Sequence, residues 1–155
     1  MSSIRPFKLR HSIPILHRRE CPLALPGIPA IYAGDEQGAE GTKYHRAGGD
    51  AEVRRPPPLR PNELAGGNLD IWRLHRDLIA VRRARPWLAT GTLSVTRVDK
   101  RTITYEVLAN EGRLVTVLNT EDKTVPFKIS ADLTLVAGNA SAELPPLSWG
   151  VWATP

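Results

Sequence analysis

Cysteine is almost absent from this 155-residue chain: Cys21 stands alone. One thiol cannot build a disulfide framework, so cysteine usage fixes no compartment, and a free buried thiol is the plain reading of it. Aromatic side chains make up only 6% of the residues, and no basic surface is interleaved with them. Without that interleaving or a helix-turn-helix pattern, no nucleic-acid partner is expected. No apolar run approaches the roughly 18 residues of a membrane span. The basic start is a poor export signal, since the apolar stretch 12–16 is short and interrupted by Pro14. No membrane partner is expected, and a cytoplasmic location follows. The glycines between 38 and 49 lack the Lys-Ser/Thr ending and the following helix of a phosphate loop. His17, His45 and His75 show no metal-ligand spacing, and no metal or cofactor is expected.

The length suits one domain or two small ones and is short of the roughly 250 residues of a complete (β/α)8 barrel. The formal net charge of +5 is uneven. Arg5, Lys8, Arg10, Arg18 and Arg19 face only Glu20 in residues 1–22, and five arginines face Asp70 and Asp77 in residues 70–89. Residues 1–22 carry neither helical nor strand period and read as a disordered or misread N-terminal tail, with a presequence as the alternative. Residues 28–33 form a short, almost wholly apolar run that leads through Gly34 into Asp35 and Glu36. Such a run is how a buried parallel strand brings acidic groups to a barrel end. Residues 37–67, with six glycines and Pro56-Pro57-Pro58, read as a long loop.

Asn68 is then a plausible N-cap, with Asp70 in the first turn and an apolar stripe of Ile71, Leu74, Leu78 and Val81. The spacing predicts a helix over 69–85, stopped by Pro86. From residue 92 the period changes to two. Strands are expected at 93–98, 102–109, 114–119, 124–129 (an edge, because of Pro126), 133–136 and 149–153. Short strands at regular spacing with polar turns argue an antiparallel sandwich. Trp149 and Trp152 alternate faces of their strand, so core packing is favoured over one sugar-stacking platform. Trp72 and Trp87 bracket the helix and are expected to pack it on the sandwich. Residues 68–155 are expected to be the self-sufficient unit.

The run Gly27-Ile28-Pro29-Ala30-Ile31-Tyr32-Ala33-Gly34-Asp35-Glu36 closely resembles the eighth barrel strand of the α-amylase superfamily, glycoside hydrolase family 13. The helix with its Arg82-Arg83-Ala84-Arg85-Pro86-Trp87 ending and the Leu144-Pro145-Pro146 segment before the last strand are similar as well. The resemblance covers 23–155 and implies an α+β chain. Residues 23–89 would be the remnant of a (β/α)8 barrel, and residues 90–155 the C-terminal antiparallel β-sandwich. The family's nucleophile, acid and third carboxylate lie on earlier barrel strands, whose motifs do not occur in this sequence. The resemblance therefore implies a truncated C-terminal fragment of a retaining α-glucosidase or amylase-type hydrolase, inactive alone, with no catalytic residue of its own.

Within that resemblance, Gly34, Asp35 and Glu36 form a structural turn; two adjacent carboxylates point apart and cannot flank one glycosidic bond. The segment from Gly49 to Pro56 resembles a family pattern in which a loop arginine pairs with a barrel aspartate and walls off a single-glucose pocket. Asp50 and either Arg54 or Arg55 are the substrate-binding candidates, because a planar guanidinium suits hydroxyl and carboxylate recognition. An α-glucan or short α-glucoside is the implied partner once the barrel is complete. A stand-alone carbohydrate-binding or interaction sandwich, and a non-functional product of a truncated reading frame, are the alternatives.

Overall fold

The structure, a computed structural model, describes residues 21–31, 35–37, 41–46, 49–54, 69–99, 101–140 and 143–155, with backbone alone over 41–54. Residues 1–20, Tyr32, Ala33, Gly34, Arg55 and the cap position Asn68 lie outside the described residues, as does the side chain of Cys21. Helix α1 (Leu69–Arg83) begins with Asp70 in its first turn and ends with Arg82 and Arg83, complementing the helix dipole at both ends. It stops two residues before the expected boundary. Pro86 disfavours helical geometry at Arg85, which sits at φ −133°, and the chain passes into a 3-10 turn, Pro86–Ala89. Leu74, Leu78 and Val81 are buried as the apolar stripe requires. His75 is buried beside them and its Nδ1 lies 2.9 Å from the Ile71 carbonyl, to which it donates; it is a satisfied core histidine.

Seven strands follow: β3 (Thr92–Val98), β4 (Thr102–Ala109), β5 (Gly112–Asn119), β6 (Val125–Pro126), β7 (Thr134–Gly138), β8 (Glu143–Leu144) and β9 (Ser148–Ala153). Five of them form an antiparallel sheet in the order β3-β4-β5-β9-β7, and β6 pairs with β8 as a separate short ribbon. The expected strand 124–129 is cut to two residues, because Pro126 cannot donate to a ladder. The sheet is apolar on both faces, and period two divides its side chains between two cores. On one face Tyr105, Val107, Leu114, Leu118, Trp149 and Val151 meet the α1 stripe. On the other, Val115, Val117 and Trp152 meet Val125, Leu133, Ala140 and Leu144 from the ribbon layer. Trp149 and Trp152 thus serve opposite cores, as their spacing predicts. Trp152 also meets Phe127 at 5.0 Å between ring centres, tilted by 56°. It lies over Gly150, where any Cβ would overlap the indole, so only glycine fits there.

Three expectations are corrected. Residues 28–31 form no strand and belong to no sheet, and Ile28 is 95% exposed. A both-faces-apolar strand needs neighbours for its backbone and side chains, and none of the described residues supplies them. Within the segment read as a long loop, a hairpin forms from β1 (Gly41–Arg46) and β2 (Gly49–Arg54). Trp72 is exposed and does not dock the helix; the Arg76 guanidinium sits 5.3 Å from its ring centre instead. Trp87 does pack on the sheet core.

The unit also reaches further back than residue 68. Leu23 and Ala24, on a 3-10 turn (Cys21–Ala24), are buried in the α1–sheet core, and Gly27 N–H donates to the Ala89 carbonyl at 3.0 Å. Amide hydrogen exchange should therefore show Gly27 protected together with α1, while Ile28 and Ile31 exchange freely. Rapid exchange at Gly27 would detach this segment from the unit.

A buried polar side chain ties β5 to the β8 region. Asn119, at 0% exposure, donates from Nδ2 to the carbonyls of Lys123 (3.0 Å), Leu144 (3.2 Å) and Pro145 (2.8 Å), and its Oδ1 accepts from Glu121 N–H at 2.9 Å. Replacing it with Ala leaves several buried backbone groups without partners, each costing about 1–3 kcal/mol. Asn119→Ala should lower the unfolding free energy by at least about 2 kcal/mol in urea titration. A change under about half a kcal/mol would show that water replaces these bonds.

Candidate functional site

The acidic turn at the end of the apolar run is a 3-10 turn, Asp35–Gln37, lying beside α1. Asp35 and Glu36 are half-buried there and both have interaction partners. Asp50 and Arg54 fall on β2, where Asp50 pairs with His45 and Arg54 with Gly41 across the hairpin. Turn and hairpin thus put four of the candidate positions, Asp35, Glu36, Asp50 and Arg54, on two separate elements. Among the described residues, no group of three or more His, Cys, Asp or Glu could hold a metal ion. Nor is any helix among them long and apolar enough to cross a membrane.

A larger feature lies between α1 and the segment in front of it. An open groove of about 390 Å³ is lined by Leu23, Pro29, Ile31, Ile79, Pro86 and the two arginines Arg82 and Arg83. No carboxylate lines it, so it offers neither a nucleophile nor a general acid for glycoside cleavage, which needs two facing carboxyl groups. Its floor is instead built by Arg82. The guanidinium reaches back across the chain and donates from Nη1 to the carbonyls of Leu23 (3.2 Å) and Leu25 (2.8 Å) and from Nη2 to that of Gly27. Desolvation pushes its pKa below the ordinary arginine value. A delocalised, weakly hydrated cation tolerates such a site and presents donors in a fixed fork, which suits several carbonyls at once.

In the sequence Arg82 stands out only as one of five arginines in residues 70–89 and as part of the helix ending. Its partners are 55 to 59 positions away, and no local pattern announces them. The role is positional: Arg82 fixes the path by which the chain enters the apolar run and the acidic turn. Arg82→Ala should make the peptide bonds at 25–31 early sites of limited proteolysis, and Arg82→Lys should rescue little because an ammonium cannot reproduce the fork. Equal protection in all three proteins would make the three hydrogen bonds incidental.

No protein-family model matches the chain, and neither does any curated protein. Solved structures do. A debranching enzyme from Nostoc punctiforme, soaked with acarbose, superposes with a TM-score of 0.69 at 23% identity, covering 90% of this chain and 29% of that one. An alpha-amylase from H. orenii gives 0.63 at 19% identity, covering 91% and 35%. An isomaltulose synthase from Erwinia rhapontici NX5 in complex with D-glucose gives 0.65 at 16%, covering 91% and 38%. The chain thus spans about a third of the structures it matches. Its fold is the C-terminal portion of the fold of these α-amylase-type enzymes: one helix from the end of a barrel, then an antiparallel sandwich.

Proposed function

We propose that this chain is the C-terminal part of an α-amylase-family glycosidase acting on α-glucosidic bonds in carbohydrate metabolism, and that it turns over no glucoside by itself. The observation that carries the reading is the match over 90% of the chain to a debranching enzyme, with a TM-score of 0.69. The close sequence resemblance of residues 27–36 to the last barrel strand of that family adds to it. In this reading the helix and the sandwich close one end of the barrel, and the catalytic carboxylates come from strands whose motifs this sequence does not contain.

The hairpin then belongs to the loop over the active-site face, since such barrels do their chemistry at the strand C-termini. Arg54, or failing that Arg55, pairs with a barrel aspartate and helps to enclose a terminal glucose unit of an α-glucan or short α-glucoside, with Asp50 on the same strand supporting it. Asp35 and Glu36 prop the turn and take no part in bond cleavage.

Purified protein incubated with maltose, sucrose, trehalose and a nitrophenyl α-glucoside should release no product above the buffer control. Turnover that disappears in Asp35→Asn or Glu36→Gln would overturn the reading and make the acidic turn catalytic. In a polypeptide that joins these residues to a complete barrel, Arg54→Ala should lower kcat/KM for short α-glucosides by about a hundredfold or more, and Arg54→Lys should recover little. Unchanged kinetics in both Arg54→Ala and Arg55→Ala would leave the hairpin a cover with no contact to sugar.

A further inference from the structure

The face of the sheet beneath α1 is apolar except near its middle. On β5 the residues directed to the helix are Leu114, Thr116 and Leu118, and Thr116 interrupts the hydrocarbon run. It is only 2% exposed, and its hydroxyl has no hydrogen-bond partner among the described residues. Thr116 stands directly opposite Tyr105 on β4 and Val151 on β9. The phenol oxygen of Tyr105 is buried as well. A small cavity of about 10 Å³ opens at this point, with Tyr105, Thr116, Trp149 and Val151 on the sheet side and Ala24 and Leu78 on the other.

We propose that this cavity is a binding site for one internal water molecule, held by the Thr116 hydroxyl and reached by the Tyr105 hydroxyl. A water requires about 10–15 Å³ of such volume and two to four polar partners, and an apolar cavity of this size stays dry. The volume meets that lower bound, and Thr116 and Tyr105 are the hydroxyl-bearing residues of its lining. No charged side chain lines the cavity, which excludes an ion and leaves a neutral hydrogen-bonding molecule of one heavy atom. A threonine hydroxyl can donate and accept at once, and so can a phenol, so a water between them completes a three-member chain of hydrogen bonds. A buried hydroxyl left unmade is costly, whereas replacement by valine of the same shape costs nothing when no partner is lost. That difference gives the test its sign.

Water-oxygen magnetic relaxation dispersion on the whole chain should reveal one long-lived water, and a high-resolution crystal structure should place a density peak within hydrogen-bond distance of Thr116 Oγ1. Thr116→Val should abolish the relaxation signal and lower Tm by roughly 3–6 °C. Tyr105→Phe should lower Tm too, and the double variant should lose less than the sum of the singles, because both act through one water. A wild-type protein with no long-lived water and an empty cavity overturns the proposal without any variant having to fold. So does a Thr116→Val protein that keeps the signal, or that melts higher than wild type.

Discussion

Everything in this chain hangs on the seam between α1 and the five-stranded sheet. Leu74, Leu78 and Val81 meet Tyr105, Val107, Leu118 and Val151 there, and Leu23 and Ala24 enter the same core from the other end of the sequence. Burial of each large aliphatic side chain contributes about 1.5–3 kcal/mol, which is why this seam outweighs the polar contacts around it. The exposed pairs Arg73–Asp70 and Arg76–Asp77 lie on the outer face of the helix and add little. Because one helix faces one sheet across this seam, the end of a barrel and a sandwich behave as a single body.

The helix, the run of short antiparallel strands and the division of Trp149 from Trp152 were legible in the sequence, since period and breakers act over a few residues. Pro126 marked an edge element for the same local reason, though not that the strand shortens to two residues. What could not be read were long-range partners. Arg82 looked like one of several helix-end arginines until its three carbonyls arrived from residues 23–27, and Asn119 looked like a strand-ending polar residue until the β8 region closed over it. The apolar run 28–31 shows the opposite failure. Its strand character is a property of residues that pair with it, so without such neighbours among the described residues it joins no sheet and leaves Ile28 exposed.

The candidate substrate residues show where local reasoning stops. Asp50 and Arg54 were picked because residues 49–56 resemble a family pattern, and the structure sets both on a hairpin strand, an element not foreseen inside a glycine- and proline-rich stretch. A strand spreads residues four apart by over 13 Å, whereas a loop can fold them together. The recognition chemistry of an arginine is unaltered by this, but the surface that would carry it becomes a defined ribbon.

The order of strands, β3-β4-β5-β9-β7, puts the strand that comes last in sequence between two that come earlier. Until β9 docks, β5 and β7 are bare edges, each with a row of unpaired amides and carbonyls, and both cores lack a tryptophan. The sheet is therefore a lock with its key at the far end. A cut or a stop codon between Leu144 and Ser148 spares every other strand and still leaves two open templates for pairing with other chains, the hallmark of an aggregating species.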